Sequence, residues 1–375
     1  MSDGALTLGE RDAAAKASAA EKARVACAPR GASRVRRLLT RSLPMTGCVV
    51  ALPVVMLVSL GLGKYPISAQ EVVLFLGQKI FGVVRIAPER LQVLNGILME
   101  VRLPRILAAA LIGAALSASG TAFQAMFVNP LVSPGLLGVL AGASMGAALG
   151  IVYLKTWAAV QVATFLGGLL AVGVALGIAG VYRIRSTIML VLGGIISGAL
   201  FSSLLSLVKY LADPYNQLPA IVSWLMGSLT LSDRMQVLKV SIPICLSLVV
   251  LLLFSRHLNV LSMGEEEARA LGINVQRVRL IVIACATIAS ALTVVIAGTI
   301  GWVGLIIPHL TRMIAGPDNR RLMPAAMLIG ASYLIVVDDI SRLAFPFEIP
   351  IGIVTAMVGI PCFAIVLRNA RKGWG

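Results

Sequence analysis

Residues 279–300 read RLIVIACATIASALTVVIAGTI. After Arg279 come 21 residues without a charged side chain. About 20 mainly apolar residues carry a helix across the hydrocarbon core of a bilayer. Similar runs lie near 45–62, 104–124, 134–154, 157–181, 187–209, 236–254, 302–315, 322–344 and 350–368, which makes ten in all. The 302–315 run is short for a full crossing. The composition agrees: 58% of the 375 residues are hydrophobic and 13% are charged, where a soluble domain has roughly a quarter charged. A membrane β-barrel would show short alternating segments instead. The expected fold is all-α and polytopic, with about ten transmembrane helices per subunit.

The net charge of +16 has a topological reading, because Lys and Arg collect on the cytoplasmic side of membrane proteins. Ten spans put both termini on one side, and that side then carries 21 of the 32 Lys and Arg residues. Six of the others lie in or just after the long 63–103 loop, and long loops weigh least in this rule. The termini and the 255–278 loop are therefore expected to be cytoplasmic. Residues 1–44 carry nine Lys and Arg and read as a flexible cytoplasmic tail ahead of a membrane domain over 45–375. The run at 45–62 reads as a retained first span. Forty-four preceding residues are too many for the n-region of a signal peptide, and GLGKYP is a poor cleavage site. No aromatic interleaving or motif beside the basic residues suggests nucleic acid. Cys27, Cys48, Cys245, Cys285 and Cys362 lack CxxC spacing and read as apolar filling. His257 and His309, the two histidines, lie in different loops, so no metal site is expected.

Gly138, Gly142, Gly146 and Gly150 form one helical stripe that lets a neighbouring backbone approach closely. Packing within the subunit is the plainer explanation, and a face toward substrate or a second copy is the alternative. A faint echo relates Gly120, Thr121, Pro130 and Gly138 to Gly298, Thr299, Pro308 and Gly316, each 178 positions on. Transporter repeats show weakly in sequence in this way.

Three of the chain's 16 acidic residues stand in a row in SMGEEEARALGI, residues 262–273. Ser262 and Glu265 fit a capping box. Glu265, Glu266 and Glu267 suit the positive end of a helix dipole. Glu265 and Arg269 are an i, i+4 pair, and Gly272 suits a left-handed cap. A helix of about two turns is too short to be stable alone in water, so it must dock on something. A face of Ala268 and Leu271, with Gly264 nearby, suits a groove on a partner; packing on its own chain is the alternative.

The stretches VRLPRILAAALIGAALSASGTAFQAMFVNPLVSPGLLGVLAGA, GEEEARALGI, GTIGWVGLIIPHLTRMIAGPDNRRLMPAAMLIGASYLIVVDDISR and EIPIGIVTAMVGIPCF occur in the order and spacing of one family. The chain resembles, from about residue 50 to its end, the permease subunit of bacterial ABC importers for iron–siderophores, haem and cobalamin. The basic tail is a departure from that pattern. The resemblance implies a homodimeric permease in the cytoplasmic (inner) membrane of a bacterium. Its partners would be two ATP-binding subunits and an extracytoplasmic substrate-binding protein. ATP and Mg would bind the ATPase, and this chain would hold no cofactor of its own. Gly264, Glu265, Glu266, Glu267, Ala268, Ala270, Leu271 and Gly272 would be the cytoplasmic coupling helix that docks on the ATPase. Arg102, Arg105 and Arg342 would meet glutamates of the binding protein. Snorkelling, or pairing of Arg342 with Asp339, is the plainer account of these arginines. Asn129, Leu131, Ser186 and Thr187 would close the cytoplasmic end of the pathway, although a turn and a helix cap explain the same residues. Pro308, His309 and Arg312 would shape the contact with the coupling region.

No GxxxxGK[ST] motif occurs, so ATP hydrolysis is expected on a separate polypeptide. An ion-coupled secondary transporter would need acidic groups in mid-span, where almost none stand. A membrane-embedded enzyme would need a catalytic cluster at membrane depth. Asp338 and Asp339 sit beside Arg342 and read as a structural pair. The carried chelate is not written in this chain, and a related branch carrying oxyanions fits the same walls.

Overall fold

The computed structural model describes residues 30–82, 86–154, 156–181, 187–230 and 234–370. They are helical almost throughout, with no strand among the described residues. The chain divides into two units, Met1–Thr46 and Gly47–Gly375, and the packing below belongs to the second. The helices are α1 (Arg30–Gly61), α2 (Ala69–Phe81), α3 (Pro88–Asn95), α4 (Leu103–Phe127), α5 (Val139–Leu149), α6 (Trp157–Val181), α7 (Thr187–Leu211) and α8 (Gln217–Met226). After them come α9 (Arg234–Leu253), α10 (Ser255–Leu261), α11 (Glu265–Ala270), α12 (Val275–Ala297), α13 (Val303–Ala315), α14 (Asn319–Leu343) and α15 (Ile351–Ala370). A π-helical segment, Gly96–Arg102, fuses α3 to α4, and another, Gly150–Leu154, extends α5.

Every expected span meets a helix. Six helical stretches are long and apolar enough to cross a membrane: Pro88–Phe127, Trp157–Val181, Thr187–Leu211, Met235–Leu253, Val275–Ala297 and Asn319–Leu343. Met45–Gly61, Val139–Leu154, Val303–Ala315 and Ile351–Ile365 are apolar but shorter. α1 begins at Arg30, inside the stretch read as tail, and residues 1–29 lie outside the described residues. Four helices were not anticipated, one of them α10 at the start of the 255–278 loop. α2 and α3 occupy the long 63–103 loop, and α8 follows α7 as a separate short helix.

The core forms around α4. In the Pro88–Phe127 span 78% of the most apolar window is buried, against 33% for α6 and 28% for α7. α4 packs against α9, α12, α13 and α14, while α6, α7 and α9 turn most of their apolar surface outward. Close approach depends on glycine. A methyl on Gly113 would overlap the Gly330 carbonyl of α14, and one on Gly120 would overlap the Gly304 carbonyl of α13.

The Gly138–Gly150 stripe packs within the chain. Gly142 lies on the Gly167 backbone and Gly146 on the Ala163 backbone of α6. Gly138 itself caps α5 with φ 81°, so the span begins with a 3-10 turn at Pro134–Leu137 rather than a continuous helix. The residues of the echo across 178 positions do not all occupy matching places. Gly120 is mid-helix and Gly298 ends one; Pro130 is in a turn and Pro308 is inside a helix. Only Gly138 and Gly316 share a left-handed φ.

Gly146→Leu should destabilise the fold by about 1–3 kcal/mol, the usual cost of overpacking, read as a lower melting temperature in detergent. Gly173→Ala, where an added methyl meets nothing within 4 Å, should leave that temperature unchanged.

Candidate functional site

Two polar clusters bracket the apolar body. The first surrounds the start of α4, the end of α14 and the end of α1. Arg102 donates to the Leu60 carbonyl at 2.6 Å and to the Tyr65 carbonyl at 2.6 Å. Arg105 donates to Asp338 at 3.0 Å and to Glu348 at 3.1 Å. Arg342 pairs with Asp338 at 3.2 Å and with Asp339, and the Ser59 hydroxyl donates to Asp339 at 2.7 Å. Thr230 donates to Glu348 at 2.9 Å and Lys64 to the Pro346 carbonyl at 2.9 Å. Burial in the loop before α15 pushes the Glu348 carboxyl up; Arg105, Thr230 and Lys64 outweigh it and hold the group below its ordinary value.

The structure therefore brings Arg102, Arg105 and Arg342 into one network, each less than 9% exposed. They are not free arms. Their donors are occupied by carboxylates and carbonyls of this chain, as the pairing of Arg342 with Asp339 anticipated. Asp338 and Asp339 are likewise structural partners. The pairing of Arg105 with Asp338 and Glu348, 233 and 243 positions away, was beyond the reach of any local pattern.

The second cluster surrounds α11. Its helix begins at Gly264, with φ 131° and ψ 158°, a conformation open essentially to glycine alone. The expected capping box is absent here. Ser262 belongs to the end of α10, and its hydroxyl donates to the Asn259 carbonyl at 2.7 Å. The chain's capping box lies instead at Ser68–Glu71, ahead of α2. The sequence signal Ser-x-x-Glu occurs at both places, and only the one at 68 has a flanking backbone free to close it. The other end of α11 is as expected. Gly272, with φ 80°, donates to the Arg269 carbonyl at 2.9 Å, and Ile273 donates to the Ala268 carbonyl at 3.0 Å, a Schellman closure.

Ala268 faces inward, fully buried, in the core that holds Phe127, Val132, Leu190 and Val278. The expected outward pairing of Ala268 with Leu271 is corrected accordingly: Leu271 is 64% exposed and Ala268 is the anchor. The outward face is made by Glu266, Glu267, Ala270 and Leu271, with Met263, 65% exposed, which sequence reading missed. A lone exposed Met before a glycine gives no periodic signal.

Glu265 is also turned inward. Thr187 donates to it at 2.6 Å, Arg279 of α12 pairs with it, and Arg269 reaches it at 3.4 Å. Burial raises the Glu265 pKa; Thr187 and Arg279 outweigh that and leave it below the ordinary value. The link is therefore favoured by the ionised carboxylate and weakens as acid protonates the group. On the other side, Asn259 of α10 donates to Asp318 at 2.6 Å and accepts from the Asn319 amide at 2.7 Å, which ties α10 to the start of α14.

Asn129 and Leu131 follow α4 in a turn opened by Val128 at φ 50°, closed by the Leu131 amide donating to the Asn129 side chain at 2.9 Å. Leu131 is 54% exposed. Thr187 opens α7, and Ser186 lies outside the described residues. Arg312, on the turn of α13 after His309, reaches Gln124 of α4 at 3.5 Å, one turn before the Asn129 turn.

Arg105→Ala should lower stability by about 3–5 kcal/mol, because it strands a buried carboxylate, read as loss of monodisperse protein on heating in detergent. Arg90→Ala, at the exposed pair with Glu71, should leave the melting curve unchanged.

The profile of the FecCD transport family matches residues 51–369. The molybdate import permease MolB of Haemophilus influenzae is 38% identical over 327 residues, 87% of this chain and 96% of that protein. The haemin transport permease HmuU of Yersinia pestis is 34% identical over 281 residues, 73% of this chain and 84% of that protein. A solved structure described as an inward-facing conformation of a metal-chelate type ABC transporter superposes with a TM-score of 0.77 at 38% identity, over 86% of this chain and 98% of that one. With the helical body, the exposed acidic helix and these likenesses together, the chain belongs to the FecCD transport family of ABC importer permeases.

Proposed function

We propose that this chain is the membrane subunit of an ATP-driven importer that works by alternating access, as a homodimer with two ATPase subunits and an extracytoplasmic binding protein. The observation that carries this reading is α11. It is a six-residue helix, closed at both ends by glycine, anchored by Ala268 and presenting Glu266, Glu267, Ala270 and Leu271 outward. So short a helix is not stabilised by its own hydrogen bonds; the chain holds it in shape and leaves one face uncovered. A cleft on an ATPase subunit is the occupant that suits an acidic, partly apolar face of this size.

In this scheme the membrane is the cytoplasmic one of a bacterium. The termini and the 1–44 segment lie on the cytoplasmic side, which follows the Lys and Arg distribution. ATP and Mg reside on the partner. The gate is formed by Asn129 and Leu131 in the turn after α4, with Ser186 and Thr187 at the start of α7. The arginine network at the opposite end is proposed as a platform: Arg102, Arg105 and Arg342 fix the helix ends on which the binding protein seats. Mid-span acids for ion coupling are not supplied by Asp338 or Asp339, since both are committed to arginines.

The cargo class follows the relatives, whose names cover molybdate, iron chelates, haem and vitamin B12. Selectivity would rest chiefly on the binding protein.

Co-purification tests the docking. An ATPase subunit expressed with this permease should travel with the wild type and be lost from the Glu266→Arg/Leu271→Asp variant; retention together with full uptake would remove α11 from the mechanism. The isolated permease should show no saturable binding of a fluorescent ATP analogue. Among molybdate, a ferric siderophore, haemin and cyanocobalamin, one class should quench the fluorescence of the cognate binding protein and be taken up only with ATP present.

A further inference from the structure

Of the three adjacent glutamates on α11, Glu266 and Glu267 are exposed and Glu265 is not. Its carboxylate joins three elements that are distant in sequence. One oxygen accepts from Thr187, the first residue of α7, and from Arg279 in the first turn of α12; the other lies near Arg269. Arg279 also donates to the Thr187 hydroxyl at 3.1 Å, which closes a three-membered ring of contacts. The hydroxyl of Thr187 is thus both donor to the acid and acceptor from the base.

The inner part of α7 is held to the fold by a narrow strip as well: Gly193 lies on the Ala175 carbonyl, Gly194 on the Leu136 carbonyl, and Ser197 donates to the Ala171 carbonyl at 2.6 Å. Leu192, Ile195 and Ile196 are 44–54% exposed, and Leu190, Gly193, Gly194 and Ser197 are the buried residues of that stretch. That strip begins six residues beyond Thr187 and does not by itself orient the first turn of the helix. A charge-assisted hydrogen bond at the first residue does, because it is directional and stronger than a neutral one. α10 is tied separately to α14 through Asn259 and Asp318, so the α7 link is not duplicated by that contact.

We propose that Glu265 is a positioning residue for transport: through Thr187 it ties the inner end of α7 to α11, with Arg279 as the fixed counter-charge, so that α11 and α7 move as one body. This rests on the reading of α11 as the ATPase-docking helix. It assigns the three glutamates different work. Glu266 and Glu267 face the partner, and Glu265 faces the pathway helix. A displacement of α11 then reaches Thr187 directly, without passing through the length of α12.

The test uses the assembled transporter in proteoliposomes, with radiolabelled molybdate and a radiolabelled ferric siderophore as cargos. Thr187→Val keeps the side-chain shape and removes the hydroxyl; Glu265→Ala removes the acceptor; Thr187→Ser restores a hydroxyl. Cargo moved per ATP hydrolysed should fall at least about fivefold in Thr187→Val and Glu265→Ala, the lower end of ordinary site-to-site coupling, and return in Thr187→Ser. Backbone amides of residues 188–192 should exchange with deuterium faster in both uncoupled variants. An unchanged ratio in Thr187→Val and Glu265→Ala overturns the proposal, as does a proportional fall in ATP turnover and uptake. ATP-independent uptake by the wild type would instead overturn the importer reading, and the exchange rates would then judge the tether by itself.

Discussion

The close approach of backbones around α4 is the constraint on which the rest of this fold depends. Lipid supplies no hydrophobic force between helices, so association relies on contact area and on polar groups that close on one another. Gly113 against Gly330 and Gly120 against Gly304 bring α14 and α13 to the surface of α4. The same device, Gly142 and Gly146 against α6, builds the second half of the body. Helices seated this closely leave little room for adjustment, so motion is expected as displacement of whole elements.

Among the described residues, the buried ion pairs of this packed body lie toward its ends. At one end arginines and carboxylates from α4, α14 and the loop before α15 neutralise one another, with the Ser59 hydroxyl of α1 donating to Asp339. Burying an unpaired charge costs several kcal/mol, so these groups occur together or not at all. At the other end the cluster is smaller and half-exposed. Glu265, Arg279 and Thr187 join α11, α12 and α7, and Asn259 and Asp318 join α10 to α14. The first cluster joins helix ends into a rigid rim. The second links a short, outward-facing helix both to the largely buried α12 and to the largely exposed α7.

Much of the fold was legible in the sequence, because a bilayer imposes a length and a polarity on each span. The runs of 187–209 and 279–300 map onto α7 and α12 nearly end to end. The helices missed were α2, α3, α8 and α10, which are too short or too polar to carry a membrane signal, although Ser68 and Glu71 did announce the start of α2. At the site, the exposed glutamates, the Arg269 partner and the Gly272 cap were readable from spacing alone. The burial of Ala268 was not, since a lone alanine on a two-turn helix has no preferred face until the rest of the chain is placed.

By itself the sequence determined the class of solvent, the number of crossings, the expected sidedness and the existence of a short acidic helix between spans. Each of these follows from local composition, charge and i, i+4 spacing. Only the tertiary structure decided that Arg102, Arg105 and Arg342 turn inward, that Ser262 closes α10 and does not open α11, and that Glu265 parts company with its two neighbours to grip Thr187 and Arg279. For Arg102, Arg105 and Glu265 the outcome depends on partners 14 to 243 positions away; Arg342, paired with Asp338 and Asp339 within one turn, is the exception that spacing did announce. The direction of a charged side chain is set by where its counter-charge is brought by packing, and no local pattern carries that information.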